Sequence, residues 1–413
     1  MRIDLDRWEE ILVTITRNKT RSLLTAFGVF WGIFMLIVLM GGSEGMKDML
    51  SANFEGFATN SGFMGTNETS KAYKGFQKGR YWELVNADVE KVRRSVPEID
   101  VVSPNLARWG VGAVCGENRT SVTLKGLYPE YARIEEQRLS EGRFINDTDI
   151  RDYRKVCVIG KRVYESLFPQ AGNACGAFIA IDSIYYQVVG VSMATGNMSV
   201  QGQSETSIII PFSTMQRNYN FGQQVQMLAY TALPGFSVSE IEKKVEQVVK
   251  RAHTVHPDDK QAVIKVNAEA MFSMVDNLFT GINWLSWLVG LGTLLAGVVG
   301  VSNIMMVTVR ERTAEIGIRR AIGARPRDIL IQILSESVVL TLLAGMAGVC
   351  FGVFVLNLLE MGTAASGSPA HFQISFWGAI GAVLMLMVLG VLAGLAPAYR
   401  AMAIRPVEAM RDE

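Results

Sequence analysis

The stretch that decides the fold is Val309–Leu330, VRERTAEIGIRRAIGARPRDIL. It holds six arginines between Arg310 and Arg327, and long apolar runs lie on both sides of it. Isoleucines stand among the arginines at helical intervals. A dense basic segment between two apolar runs is typical of a cytoplasmic loop that joins two membrane helices.

Four apolar runs are long enough to cross a membrane, which takes about 18 or more mostly apolar residues. They are apolar on every side, whereas a helix on the surface of a soluble protein keeps one polar face. We therefore expect a membrane protein with four transmembrane α-helices, at 23–41, 283–309, 328–356 and 376–398.

Lysine and arginine are distributed unevenly around these runs. Five precede the first run, six lie in the 310–327 loop and three follow the fourth run, but the 357–375 loop has none. Because cytoplasmic loops carry the excess of Lys and Arg, we expect 1–22, 310–327 and 399–413 to be cytoplasmic. The 357–375 loop is then a short extracytoplasmic one.

The first 22 residues favour an amphipathic helix on the inner membrane surface, because Leu5, Trp8, Leu12 and Ile15 share one helical face. An ordinary beginning of the first span is the simpler alternative. A cleaved signal peptide is less favoured, since the apolar run exceeds the usual length of a signal sequence.

The segment 42–282 is nearly balanced in charge, and the parity of the spans places it outside the cytoplasm. Valine spacing predicts helices at 86–99 and 239–252. We expect a large α+β domain of two lobes, inserted between the first and second spans. The polar, glycine-rich stretches 56–80 and 193–205 are expected to be mobile. Runs rich in β-branched residues predict strands at 121–127, 155–160, 177–182, 185–192 and 206–212.

The sequence contains no nucleophile motif and no GxxxxGK[ST], so we expect no catalytic site and no ATPase of the P-loop class in this chain. His253 and His256 follow a helix and are interpreted as solvated, so no metal site is expected. Cys115, Cys157 and Cys175 allow one disulfide of undetermined pairing. Cys157, between two valines, is typical of a core strand.

The 310–327 segment has two distinct faces. An apolar stripe is formed by Ala314, Ile318, Ala321 and Ile322. Charged side chains lie opposite it, Gly323 suits a helix end, and Pro326 suits the first turn of the next helix. The arginines could simply fix the topology and contact lipid headgroups. A cytoplasmic partner explains the stripe as well as the charges.

Glu336 lies about two turns into the third span, where a carboxylate is a functional candidate. Placement near the inner interface is the equal alternative. No span carries a polar row that would line a pore.

Small residues at four-residue steps let helices pack closely, within one chain or across a dimer seam. They are Gly292, Ala296 and Gly300 in the second span, Gly348 and Gly352 in the third, and Gly390 and Gly394 in the fourth.

These stretches resemble ABC-transporter permeases of the macrolide-exporter (MacB) and FtsX superfamily. The resemblance is carried by RERTAEIGIRRAIGARPRDILIQILSES, by the N-terminal NKTRSLLTAFGVFWGIF and by the closing GLAPAYRAMAIRPVEAMRDE. Within the large domain it is carried by LKGLYPEYARIEEQRLSEGRFIND and KVCVIGKRVYESLFP. It covers nearly the whole chain in order.

The resemblance implies a multi-pass permease of the bacterial inner membrane, with its large domain in the periplasm, that works as a homodimer or with a related permease. A cytoplasmic ABC ATPase would draw the periplasmic domains together by ATP-driven closure, so that a periplasmic or envelope substrate is exported without crossing the membrane. No nucleotide-binding domain precedes the first span, so we expect the ATPase, with its ATP and Mg²⁺, on a separate polypeptide. This chain is then no enzyme and holds no cofactor.

The same resemblance implies further partners and site residues. A periplasmic adaptor, an outer-membrane channel and membrane lipid are expected as partners, and nucleic acid is not. Glu336 would anchor the start of the third span. The residues expected to couple to the ATPase are Glu311, Arg312, Glu315, Ile316, Gly317, Ile318, Arg319, Arg320, Ile322 and Gly323.

Two other roles within the superfamily stay open. One is a lipoprotein-releasing subunit that takes its substrate from the outer leaflet. The other is an FtsX-like regulator of cell-wall hydrolases, although such regulators usually carry a smaller outer domain. The substrate is not determined by the sequence.

Overall fold

The computed structural model describes residues 19–52, 54–169, 172–193, 198–365, 370–374 and 376–404. The amphipathic helix predicted within residues 1–22 lies outside the described residues, except for its last four positions. The chain divides into two compact units. Leu50–Asp276 is here called the sheet unit, and the described residues of Met1–Met49 and Asn277–Glu413 are called the helix unit.

The α-helices are, in chain order, α1 Lys19–Ala52, α2 Asn86–Ser95, α3 Asp147–Arg151, α4 Lys161–Leu167, α5 Phe212–Asn218, α6 Val238–Ala252, α7 Ala268–Glu311, α8 Thr313–Ala321, α9 Pro326–Ala365 and α10 Phe376–Met402. The strands are β1 Ser61–Thr66, β2 Leu84–Val85, β3 Ile99–Cys115, β4 Asn118–Leu127, β5 Arg138–Gly142, β6 Val156–Gly160, β7 Phe178–Ile181, β8 Ile184–Met193, β9 Ser207–Pro211, β10 Gln224–Val225, β11 Met227–Ala232 and β12 Val263–Asn267.

Among the described residues, four helices are long and apolar enough to cross a membrane, as predicted. They lie in α1, α7, α9 and α10, at Ala26–Ala52, Ala268–Glu311, Pro326–Ala364 and Ile380–Met402. Three of them extend well past the predicted spans, and α1 continues to Ala52 where the prediction ends at 41. Hydropathy marks only the part of a helix that suits lipid, while the helical backbone continues into polar flanks.

The sheet unit is built on a mixed sheet of ten strands, which confirms the predicted mixture of strands and helices. Its order is β12-β1-β11-β3-β4-β9-β6-β8-β5, and β7 pairs with β3 and β8. The pairs β4–β9 and β6–β8 are parallel, whereas the other pairs are antiparallel. All five predicted strands are present within a few residues of their predicted bounds. The division into two lobes stays a prediction.

The longest strand, β3, was not predicted because its sequence contains residues that usually interrupt strands. Pro104 and Gly110 both lie within it. The pairing of β3 with β4 shifts register between Arg108 and Val111, and Gly110 there has a φ of +70°. A bulge with glycine in the left-handed region accommodates the one extra residue of β3 without ending the strand.

The expectation that 56–80 is mobile is wrong for its first part. Strand β1 lies there, between β11 and β12, and the side chains of Phe63 and Met64 are fully buried. Gly62 is required in this strand because a Cβ would lie 2.6 Å from the Tyr230 ring. Gly62, one of the glycines that indicated mobility, therefore serves close packing in β1. In the second stretch, residues 194–197 lie outside the described residues.

The interpretation of His253 as solvated is also wrong. Its Nε2 lies 2.5 Å from the buried Asp88 carboxylate, and its ring packs on Trp82 at 5.1 Å. Among the described residues, no group of three or more His, Cys, Asp and Glu is placed to hold a metal ion.

Cys157 is fully buried in β6, which confirms its core position, and burial raises the pKa of its thiol. All four cysteines are free thiols.

Asp149 provides a pH-sensitive link in the sheet unit. Its side chain is fully buried, and it accepts hydrogen bonds from Arg143 at 2.6 Å and from the Asn146 N–H at 3.1 Å. Burial alone would raise the pKa of this carboxyl. The Arg143 and Asn146 hydrogen bonds and the charges of Arg143 and Arg154 outweigh burial and hold the pKa below its ordinary value of 3.8.

Replacing Asp149 by Asn is expected to lower the free energy of unfolding at neutral pH by about 1.5–3 kcal/mol. Because the folded-state pKa is depressed, the stabilisation is present above pH 3.8 and is lost as the pH falls through the folded pKa. Thermal unfolding in detergent should show a lower Tm for Asp149→Asn than for the unmodified chain, and this difference in Tm should become smaller as the pH falls. Asp147→Asn, at an exposed neighbour, is the control. A gap that stays constant down to strongly acid pH would contradict this account.

Candidate coupling site

The predicted helix, turn and helix are present in the 310–327 segment. Helix α7 ends at Glu311, and Arg312, with φ −100° and ψ 14°, breaks the helical path before α8 begins. Gly323 has a φ of +110°, a conformation that glycine adopts without steric cost. Pro326 opens α9, and the Asp328 carboxylate accepts the Arg325 N–H at 3.2 Å. These features confirm the local structure predicted from the sequence.

One face of α8 packs inside the helix unit. Ile316 is only 8% exposed and belongs to one apolar core with Val309, Ile329 and Ile333. Gly317 is buried beside it. Both residues are among those expected to couple to an ATPase, and the structure places them where they hold α8 against the bundle.

The same face is joined to α9 by polar contacts. Arg312 Nη1 lies 3.4 Å from Glu336 Oε1, and the Glu336 side chain is only 8% exposed. Arg319 donates a hydrogen bond to Gln332 Oε1 at 3.1 Å and pairs with Glu315 at 2.8 Å. These side chains line a cavity of about 30 Å³, the volume of one water molecule. Glu336 is therefore a buried, paired carboxylate between α8 and α9.

Arg320 joins α8 to the end of α10. Its Nη1 donates to the carbonyl of Met402 at 2.9 Å and also to the carbonyl of Ile404. These carbonyls lie at the C-terminal end of a helix, where they lack partners within the helix and attract positive charge. Helix α8 is thus tied to both α9 and α10.

Within the described part of the chain, no residue covers the opposite face of α8. The apolar stripe predicted there is exposed along its whole length, with Ile318 at 50% and Ile322 at 83%. Glu311 and Gly323 are exposed at the two ends of the helix. An exposed apolar stripe on a helix with a firmly bound back face can bind a partner or a lipid surface.

Sequence reasoning missed two parts of this site. Gln332 lies one helical turn before Glu336 on α9, and this spacing of four is a signal that could have indicated its role. The backbone carbonyls that Arg320 reaches belong to Met402 and Ile404, and nothing in their side chains marks them.

Four of the small residues predicted for helix packing meet a neighbouring helix. A Cβ at Gly348 would lie 2.6 Å from the Phe30 carbonyl oxygen, and one at Gly352 would lie 2.6 Å from Ile37. Gly390 and Gly394 lie against residues of α9, where a Cβ would overlap the side chains of Thr341 and Ser337. Helix α9 therefore contacts both α1 and α10 through glycine.

The small residues predicted in the second span are placed differently. A Cβ at Gly292 or Gly300 would meet no atom within 4 Å among the described residues, and Ala296 is exposed. Contact with α1 is made instead by Gly297, where a Cβ would lie 3.1 Å from the backbone of Gly28. The predicted stripe on α7 therefore packs against nothing within the described part of this chain.

Gly348→Leu is expected to destabilise the helix unit, because the new side chain must displace the α1 backbone. Overpacking of this kind costs about 1–3 kcal/mol or more. Gly292→Leu is the matched control, since it adds the same side chain where space is open. Thermal unfolding of the monomeric fraction in detergent should show a clear loss of Tm for the first variant alone. An equal loss of Tm in Gly348→Leu and Gly292→Leu would contradict the close contact between Gly348 and α1.

Two family models match the chain. One, the MacB-like periplasmic core domain, matches residues 22–248, and the other, the FtsX-like permease C-terminal, matches residues 287–406. The chain is 29% identical to the pyoverdine export ATP-binding/permease protein PvdT of Pseudomonas syringae pv. tomato, over 96% of this chain and 58% of that protein. It is 30% identical to the macrolide export ATP-binding/permease protein MacB of Wolinella succinogenes, over 97% of this chain and 60% of that protein.

The chain thus spans less than two thirds of the length of these relatives. The periplasmic region of MacB from Actinobacillus actinomycetemcomitans is 19% identical, with a TM-score of 0.43 over 55% of this chain and 96% of that one. Four apolar helices together with a MacB-like periplasmic domain fit an inner-membrane protein. Since the first family model alone covers more than half of the sequence, the chain belongs to the MacB/FtsX family of ABC-transporter permeases.

Proposed function

We propose that this chain is the permease subunit of an ABC exporter and that a cytoplasmic ATPase binds it through α8. ATP-driven closure of the ATPase would move the membrane helices and, with them, the sheet unit, so that a periplasmic or envelope substrate is exported. The observation that carries the proposal is the pair of faces on α8. Its apolar stripe is exposed at Ile318 and Ile322, while its other face is tied to two membrane helices.

The contacts of α8 supply a route for the movement. A partner bound to the exposed stripe would move α8 together with Arg312 and Arg320. Arg312 contacts Glu336 of α9, and Arg320 donates to the carbonyls at the end of α10. Ion pairs and hydrogen bonds in a weakly polar interior resist separation more than they do in water. The polar contacts would therefore make α8, α9 and α10 move as one body.

The proposed topology follows from the charges around the four helices. The two termini and the 310–327 loop are cytoplasmic, and the 357–375 loop is extracytoplasmic. The domain at 42–282, with two lobes, is inserted between the first and second spans and lies in the periplasm. The excess of Lys and Arg before the first span and in the 310–327 loop supports this orientation.

The proposed assembly is a dimer of permeases, identical or related, with the ATPase on a separate polypeptide that binds ATP and Mg²⁺. The uncovered stripe of Gly292, Ala296 and Gly300 on α7 supports a dimer seam, because small residues let helices of two chains approach closely in lipid. A periplasmic adaptor and an outer-membrane channel would complete the export path. The pyoverdine and macrolide relatives are named as exporters, which supports export as the activity of this chain.

Purification of the chain from native membranes, with mass spectrometry of what accompanies it, tests the proposed function. An ABC ATPase should co-purify, and its rate of ATP hydrolysis should differ between the complex and the isolated ATPase. Recovery of the chain without an ATPase, from membranes that contain one, would contradict the proposal. An ATPase domain within the same polypeptide would contradict the separate subunit.

A further inference from the structure

The sheet unit contains a cleft of about 680 Å³ along one side of α6. One wall is the flank of α6 that carries Lys243, Gln247 and Arg251, and the other is the turn at Tyr73 and Lys74. Val255 and Pro257 lie in the segment that follows α6 and close one end. The volume falls within the range of about 300–1,000 Å³ that is typical of ligand sites.

The wall at Tyr73 is a tight two-residue turn. The N–H groups of Tyr73 and Phe76 each donate to the other residue's carbonyl at 3.0 Å. Lys74 and Gly75 between them have φ values of 45° and 89°. Positive φ at both central residues is the geometry of a two-residue hairpin turn, which fixes the direction of the chain.

Two polar links hold this wall against the end of α6. Arg80 donates to the carbonyls of His253 at 2.7 Å and Thr254 at 3.3 Å. The Asp259 carboxylate accepts the N–H and the hydroxyl of Ser70, both at 2.7 Å, and the N–H of Lys71 at 3.0 Å. The cleft is therefore built in advance of any ligand, and a preorganised site loses less entropy on binding.

The charge of the cleft is positive. Lys74, Lys243, Lys250 and Arg251 line it against one carboxylate, that of Glu246. Glu246 is already paired with Lys250 and, at 2.9 Å, with Lys265. Among the residues that the structure describes, Lys243 and Arg251 have no carboxylate within ion-pair distance, and both are exposed. The cleft therefore carries two cations, Lys243 and Arg251, whose charge no described carboxylate of the chain neutralises.

The cations on α6 are spaced along the length of the helix. Lys243 and Arg251 are eight residues apart on α6, which separates them by about 12 Å along the helix. An extended peptide places residues four apart at about 13 Å. An extended chain with several carboxylates matches this spacing, whereas a compact anion such as phosphate carries its charge at one point.

We propose that this cleft binds an extended acidic peptide. Its carboxylates would pair with Lys243, Arg251 and Lys74, and its aliphatic parts would lie on Tyr73, Val255 and Pro257. The cleft would bind in this way whether or not α8 couples to an ATPase, because every residue of it lies in the sheet unit.

Two fluorescently labelled peptides, pentaglutamate and pentaglutamine with blocked ends, provide the test with the full chain in detergent micelles. Fluorescence anisotropy should show binding of pentaglutamate alone, and the affinity should fall as salt screens the charges. Lys243→Glu combined with Arg251→Glu should raise Kd by about tenfold or more. The neutral pair Lys243→Gln and Arg251→Gln should give an intermediate loss. Arg94→Glu, at an exposed arginine on α2, should leave Kd unchanged.

Three outcomes would overturn the proposal. The first is equal binding of pentaglutamate and pentaglutamine, and the second is an equal loss of affinity with Arg94→Glu. The third is displacement of pentaglutamate by inorganic phosphate at matched charge and ionic strength, which would indicate a non-specific anion site. Circular dichroism and Tm of each variant confirm that the substituted surface residues leave the fold intact.

Discussion

Ile318→Asp combined with Ile322→Asp is expected to abolish co-purification of the ATPase while the chain still inserts and folds. The two side chains are 50% and 83% exposed, so the change removes no contact in the core of the helix unit. In a complex they would be buried, and an unpaired carboxylate in an apolar interface is costly. A loss of about 2 kcal/mol at each position weakens binding roughly a thousandfold in total.

The measurement is the amount of ATPase recovered with an affinity-tagged chain, at equal amounts of chain in the membrane. Ile264→Asp is the matched control, because Ile264 is also 50% exposed but lies on β12 of the sheet unit. Unchanged recovery of the ATPase with the α8 variant would contradict the docking role of the stripe. So would an equal loss with the control.

Glu336→Ala is expected to leave the ATPase bound but to uncouple it from the membrane helices. The change removes a carboxylate that is 8% exposed and lies 3.4 Å from Arg312, whose side chain is 24% exposed. Removing the carboxylate that accepts from the Arg312 guanidinium is expected to cost about 1.5–3 kcal/mol, the usual contribution of a hydrogen bond to a charged group. The Tm should fall, and the ATPase in the complex should hydrolyse ATP at the rate of the isolated ATPase.

The double variant Arg312→Ala with Glu336→Ala separates loss of the ion pair from loss of packing. If the pair acts as a unit, the loss of Tm in the double variant should be smaller than the sum of the losses in the two single variants. Glu360→Ala, which removes a carboxylate elsewhere on α9, controls for the loss of any glutamate from this helix. Strictly additive losses of Tm for the two single variants would count against the ion-pair account.

Much of this site could be predicted from the sequence because it depends on local chemistry. The C-terminal end of α8 follows from Gly323, the beginning of α9 follows from Pro326, and the two faces of α8 follow from the spacing of isoleucine and arginine. The four membrane helices follow from length and composition alone. Each of these features is determined by residues close together in the sequence, and a single sequence displays such features directly.

The contacts between distant segments could not be predicted in this way. Arg320 reaches a carbonyl 82 residues away, and His253 reaches Asp88 across 165 residues. On α7, small residues lie on more than one face. The stripe that begins at Gly292 has the four-residue spacing of a packing motif, although it makes no such contact within the described part of the chain. Only the neighbouring helix decides that Gly297 makes the contact, because it is the residue that faces Gly28.

The most direct test of the account is a photo-crosslink from α8 to the ATPase in native membranes. A benzophenone amino acid placed at Ile322, the most exposed position of the stripe, should form a covalent product that contains the ABC ATPase. The same group at Ile264 should not. Absence of an ATPase product at both Ile318 and Ile322, or an equal yield from Ile264, would contradict the claim that α8 is where the energy of ATP enters this permease.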